Sequence, residues 1–279
     1  MAIVRCYKLC AVLLILLVQA CAVRSVDVSH ADVSAGPLSP EAPSQDDVSL
    51  FPAVRSSATG PDGLALAKPS TILSTSVWQH YKFPGKQATQ YSYAPTDGKP
   101  AVMARASSSA SMLRHAVRVE PALLQDIIFS WKVKQLIPGA DLTRRETHDS
   151  PVRLVLAFEG DRSEFSMKNA MLSELSLTLT GEAMPYATLM YVWCNACAKE
   201  TLYINPRTDR IREIVLETGP EHLGQWLNYQ RDIQADYLLA FGQPPGALVG
   251  VGLMTDTDNT RQSTVAWYGP ISLTTHSTR

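Results

Sequence analysis

From residue 111 onward, apolar and polar side chains alternate with a period of two, and this constrains the fold more than any other feature of the chain. Residues 111–119 put Leu113, His115, Val117 and Val119 on one face and Met112, Arg114, Ala116 and Arg118 on the other. Residues 126–133 place Ile127, Phe129, Trp131 and Val133 on one side, the pattern of a strand with one face buried and one open to water. Further strands are predicted at 151–158, 187–193, 200–204, 211–217, 247–254 and 264–273. Residues 167–179 and 233–241 read as short helices, the second stopped by Gly242 and Pro244-Pro245. Gly, Pro, Asp and Asn turns separate the strands, so the expected fold class is all-β: a jelly-roll-like β-sandwich over residues 71–279 with one or two short helical insertions. Phe129, Trp131, Val133, Leu154, Phe158, Met190 and Val192 are the expected core, since a one-residue slip in register would turn a whole strand inside out.

Composition supports a sizeable core. Of 279 residues, 46% are hydrophobic and 18% charged, which excludes disorder throughout. A formal net charge of −1 gives the whole molecule no pull toward nucleic acid or an anionic membrane, and no nucleic-acid partner is expected.

The N-terminus adds a compartment. Arg5 and Lys8 precede an apolar run over residues 9–18, too short to span a bilayer comfortably. The run ends in Val18-Gln19-Ala20-Cys21, which resembles the lipobox of bacterial lipoproteins. That resemblance implies that residues 1–21 are a lipoprotein signal peptide and that Cys21 is acylated through its sulfur. Two acyl chains would anchor the exported protein to the membrane on the periplasmic side. An ordinary cleaved secretion signal and an uncleaved anchor helix are the alternatives, and all three place the domain outside the cytoplasm. Residues 22–70 are rich in Ser, Pro, Asp, Ala and Gly, with Pro37, Pro40, Pro43, Pro52 and Pro61 interrupting any regular element. They read as a disordered tether, with an added strand over residues 48–54 as the competing view.

Two segments could carry recognition. Asp256-Thr257-Asp258-Asn259-Thr260 follows an apolar strand and offers hard oxygen ligands, but Arg261 stands where the EF-hand pattern needs Gly and the bidentate Glu at its twelfth position is missing, so no metal is assigned. A polar turn, with Asp and Asn bonding nearby backbone, is the plainer reading. Gly224-Gln225-Trp226-Leu227-Asn228-Tyr229-Gln230-Arg231-Asp232 and Trp267-Tyr268-Gly269 set aromatic rings beside amides and charges. An aromatic face stacks against the C–H groups of a sugar ring, and the polar groups bond its hydroxyls. Trp131 and Trp193, inside hydrophobic strands, read as core, whereas Trp226 and Trp267 have polar neighbours. The candidate ligand-binding set is therefore Trp226, Asn228, Arg231, Asp232, Asp256, Asp258, Asn259 and Trp267, brought together where residues 256–260 approach residues 226–232.

Catalysis has no comparable signal. Asp149, Glu159, Asp161, Glu217, Asp232, Asp236, Asp256 and Asp258 are numerous enough to imitate a glycosidase pair, whose spacing the sequence does not measure. Arg153 near Asp149, and Arg231 beside Asp232, read as ion pairs that organise loops or strands. No Gly-x-Ser-x-Gly elbow, His-Glu-x-x-His helix or phosphate loop occurs, and His30, His80, His115, His148, His222 and His276 lack metal-ligand spacing. No cofactor is expected. Cys194-Asn195-Ala196-Cys197 has no second pair to complete a zinc site, which leaves a local disulfide, free thiols or a redox pair, the disulfide being favoured in an oxidising compartment.

Several blocks carry a resemblance: Phe129-Ser130-Trp131-Lys132-Val133, Asp149-Ser150-Pro151-Val152-Arg153-Leu154, Ala157-Phe158-Glu159-Gly160-Asp161, Tyr186-Ala187-Thr188-Leu189-Met190-Tyr191-Val192-Trp193 and Met254-Thr255-Asp256-Thr257-Asp258-Asn259-Thr260. In order and spacing they resemble the bacterial family known as domain of unknown function 3047, across residues 77–273. The general pattern is similar to galactose-binding-like and concanavalin-like jelly rolls, a likeness of fold that does not settle function. The expected role is an envelope lipoprotein whose sandwich binds a carbohydrate or another polar ligand. A glycoside hydrolase or lyase, and a structural protein-binding envelope protein, are the alternatives.

Overall fold

The computed structural model describes residues 47–48, 70–72 and 78–275. The signal segment, Cys21 and most of the expected tether lie outside the described residues. Strands β1 (Asp47–Val48), β2 (Ser70–Ile72), β3 (Trp78–Lys82), β4 (Gln90–Tyr93), β5 (Val102–Ser107), β6 (Ala110–Val119), β7 (Leu124–Val133) and β8 (Ser150–Phe158) precede helix α1 (Met167–Thr180). Then come β9 (Ala187–Cys194), β10 (Leu202–Ile204), β11 (Ile211–Thr218), β12 (Leu227–Asp232), helix α2 (Ile233–Phe241), β13 (Leu248–Asp256), β14 (Ser263–Tyr268) and β15 (Ser272–Thr275).

The strands form two sheets, the jelly-roll-like sandwich that the alternation predicts. The first runs β1-β3-β6-β13-β8-β9-β11-β10, and the second β2-β15-β7-β14-β5-β4 with β12 paired to β7. Each sheet has one apolar face that must leave water, and the two faces meet. Leu113, Leu154, Leu156, Tyr191 and Leu253 come from the first sheet, and Val102, Phe129, Trp131, Val133 and Tyr268 from the second. Burying each such side chain stabilises the domain by about 1.5–3 kcal/mol before entropy is counted.

The departures from expectation have local causes. Met190 is only half-buried, whereas Val192 is buried as expected but in a satellite cluster with Leu142, Cys194 and Val215. Both residues lie on the face of β9 opposite Leu189 and Tyr191, so period-two alternation assigns them to the other side of the sheet. β9 pairs in parallel with β11, because β10 lies beyond β11 and the chain returns between them. The single strand expected over 264–273 is broken at Gly269-Pro270 into β14 and β15. Within the expected tether, Asp47 and Val48 pair antiparallel with Gln79 and Trp78.

Both helices keep their predicted places. Ser166 caps α1 and Asp232 caps α2, and each ends on a left-handed glycine, Gly181 at φ 76° and Gly242 at φ 73°. α1 buries polar residues, Asn169 and Ser173, and exposes Met167, Met171, Leu175 and Leu179 along one side. Asn169 holds the helix to the domain by donating to Asp209 at 2.7 Å and accepting from Thr208 at 2.8 Å.

Candidate functional site

The acidic loop after β13 turns inward. Arg153, on β8, donates from Nε to Asp256 at 3.0 Å and places Nη1 3.0 Å from Glu213 Oε2. Its Nη2 donates to the His148 carbonyl at 3.1 Å, and His148 Nε2 lies 3.2 Å from Glu213 Oε1. Arg153 and Glu213 are 1% and 0% exposed, so this ion pair has no water to screen it. Burial opposes ionisation of Glu213, yet Arg153 and His148 outweigh it and hold the carboxyl down to about 2. Burial raises the Asp256 pKa, with Asp149 adding to the rise and Arg153 opposing it.

Asp149 closes the loop. It accepts from Asn259 N at 3.3 Å, Asn259 Nδ2 at 2.8 Å, and Thr260 N and Oγ1 at 2.7 Å each. Asp258 pairs with Lys86, and Arg207 donates to Asn259 at 3.2 Å. Oxygens of Asp149, Asp256 and Asp258 come within 4.8 Å of one another, close enough for one hard cation, but each carboxylate already has protein donors or a protein cation as partner. The Tyr268 hydroxyl ties this cluster to the second sheet, donating to the Met254 carbonyl at 2.6 Å and accepting from Arg153 N at 3.3 Å. Contrary to the expected Arg153–Asp149 pair, Arg153 serves Glu213 and Asp256 while Asp149 serves the loop.

Trp226 and its neighbours face the other way. Residues 227–232 form a strand rather than the inter-element loop expected, and Trp131 lies opposite both Leu227 and Tyr268, so β12 and β14 flank β7 on its two sides. Alternation then sends Leu227, Tyr229 and Arg231 inward and Asn228 outward. On the outer face Asn228 is level with Ser130, which accepts through its carbonyl from Gly269 N at 2.9 Å. Lys132 is level with Trp267. A Cβ at Gly269 would lie 2.2 Å from Ser130 Oγ and 3.5 Å from the Trp226 ring, so glycine there provides the floor on which the indole rests.

Two lysines complete this face. Lys99 donates to Asn228 Oδ1 at 2.9 Å and sits 4.7 Å from the centre of the Trp226 ring. Lys132 pairs with Asp97 at 2.7 Å and lies 5.6 Å from the Trp267 ring centre. Asp97 and Gly98, at φ 52° and 72°, make the tight turn that presents Lys99. Trp226 and Trp267 are both half-buried.

The predicted set thus divides. Trp226, Asn228 and Trp267 share the outer face of the second sheet, and Asp256, Asp258 and Asn259 belong to the inward cluster. Arg231 points inward, with Nη2 2.8 Å from Asp236 and 3.0 Å from Glu200, and Asp232 caps α2 rather than pairing with Arg231. The two segments do not meet in one concave surface. The loop precedes Ser263 whereas Trp226 reaches Gly269, and the intervening strand spans roughly 20 Å at about 3.3 Å per residue. Sequence reasoning missed Lys99, Ser130, Lys132 and Gly269; the Asp97-Gly98 dipeptide was the available signal for the first. Cys194 and Cys197 are joined as a disulfide, with Cα atoms 5.6 Å apart at the end of β9.

Fold and face together define a class: a two-sheet β-sandwich with helical insertions that presents a polar-aromatic surface to solvent. More narrowly, residues 76–272 match the family described as "Protein of unknown function (DUF3047)", and the chain belongs to that family. No curated protein matches the sequence. Among solved structures, the chain is similar to the xyloglucanase domain of NopAA, a type three effector from Sinorhizobium fredii, at 7% identity and TM-score 0.38, over 75% of this chain and 98% of that one. It is similar to the family 11 xylanase from Neocallimastix patriciarum at 9% identity and TM-score 0.37, over 72% and 91%. The glycoside hydrolase domain of Endo-D from Streptococcus pneumoniae R6 matches at 8% identity and TM-score 0.30, over 71% of this chain but only 21% of that one. These are distant likenesses, and they say nothing of what this chain binds.

Proposed function

We propose that the domain is a binding module that takes a carbohydrate on the outer face of its second sheet. The observation that supports this is the pair of half-exposed tryptophans, Trp226 and Trp267, on one face with Asn228, Lys99 and Lys132. Flat rings receive the C–H faces of sugars, and the amide and ammonium groups bond hydroxyls. Of the acids that imitate a hydrolase pair, Asp149 and Asp256 are 2% and 3% exposed and are bonded to their neighbours, so no substrate reaches these two without opening the sandwich. The test is calorimetric titration of the full chain with soluble polysaccharides. Trp226→Ala should weaken binding about tenfold, or about 1.4 kcal/mol, without moving the unfolding midpoint. Binding that survives this change intact refutes the reading.

We further propose that the module is displayed at the cell envelope through acylated Cys21, with residues 22–70 as the tether. The support is the Val18-Gln19-Ala20-Cys21 signal. Cys21→Ala should abolish incorporation of labelled fatty acid, and undiminished labelling would remove the proposal.

A further inference from the structure

We propose that the ligand of this face is an acidic glycan, with the carboxylate of a uronic acid residue received by Lys99. The inference rests on the carbohydrate reading above and narrows it by charge. Among the described residues Lys99 has Asn228 and the Trp226 ring as neighbours and no carboxylate partner, unlike Lys132 with Asp97. Arg105, exposed on the outward side of β5, lies 4.0 Å from the Met103 sulfur and has no carboxylate partner among the described residues. Lys99, Lys132 and Arg105 thus gather around the two tryptophans with Asp97 as the acid beside them, while Asp126 and Asp232 stand at the far end of β7 and β12. Burial alone pulls the Lys99 pKa down, the direction expected of an ammonium that has lost water and gained no counter-ion.

The position of the charge makes the argument specific. The Lys99 ammonium lies 4.7 Å from the Trp226 ring centre, so a sugar stacked on the indole meets it, and a neutral sugar offers it only hydroxyls. A uronate offers the ammonium a carboxylate beside the ring, so stacking and charge pairing favour the same ligand. Asn228 then loses its bond to Lys99 and gains an acceptor free for a sugar hydroxyl.

The experiment titrates the full chain with polygalacturonate and with neutral galactan and xylan, at low and at high salt. Wild type should bind polygalacturonate at least tenfold more tightly than either neutral polymer, and the advantage should shrink with salt. Lys99→Gln should abolish that advantage, bringing polygalacturonate to the affinity of the neutral polymers. Dextran sulfate tests charge alone: it should bind weakly and be indifferent to Trp226→Ala. Equal affinity for acidic and neutral polymers, or a preference that persists in Lys99→Gln, overturns the inference while the carbohydrate reading stands. Failure of every polymer to bind overturns both.

Discussion

The cluster around Arg153 and the face around Trp226 are built from similar residues and turned to opposite ends. Around Arg153, every carboxylate finds a donor inside the protein, and Arg153 and Glu213 are shut off from water. Around Trp226, one lysine is held only by an amide and an aromatic ring, and two tryptophans keep part of their surface exposed. The difference teaches that density of functional groups is not availability. A buried polar network contributes to the fold when every member is satisfied, whereas a recognition surface must leave something unsatisfied for its partner.

The comparison breaks first at Arg153. Arg153→Ala leaves Glu213 and Asp256 buried without their cation and should destabilise the domain by about 3–5 kcal/mol, measured by urea unfolding. Unchanged stability would mean that the cluster is not structural.

Acid sharpens the same point. The folded pKa of Glu213, about 2, lies below the unfolded value of about 4.3, so its contribution is complete above about pH 4.3 and is lost as the pH falls toward 2. That loss is on the order of 3 kcal/mol. Asp256, raised by burial, acts in the opposite sense and gains as it protonates. Stability measured from pH 6 to pH 2 should fall less steeply in Glu213→Gln than in wild type.

A third variant probes the face. Gly269→Ala pushes a methyl group against Ser130 Oγ beneath the Trp226 ring, which should cost about 1–3 kcal/mol of stability or binding, divided according to whether Ser130 or the indole yields. Titration and unfolding measured together apportion it.

Legibility in the sequence followed the same divide. Strands with one apolar face, such as β6 and β7, and helix α2 with its stop at Gly242, could be read because packing and backbone geometry leave a trace in the sequence. β12 could not, because Arg231 occupies an inward position and is matched by Asp236 in the helix that follows and by Glu200, 31 residues earlier. Asp256 and Asp258 looked like a site since their partners, Arg153 and Lys86, lie about a hundred or more residues away. Trp226, Asn228 and Trp267 were singled out from composition, but the lysines that distinguish their face come from a turn and from a neighbouring strand, and only tertiary structure brings them there.

One measurement reads both halves of the account: the unfolding midpoint with and without a saturating acidic glycan, for wild type, Trp226→Ala and Asp149→Ala. Ligand that binds only the folded state raises the midpoint by mass action. Asp149→Ala leaves the Asn259 and Thr260 donors without their acceptor, so its ligand-free midpoint should fall while the ligand-induced rise is retained. Trp226→Ala should keep the ligand-free midpoint and lose most of the rise. The reverse assignment, with ligand response lost in Asp149→Ala and kept in Trp226→Ala, would contradict the account.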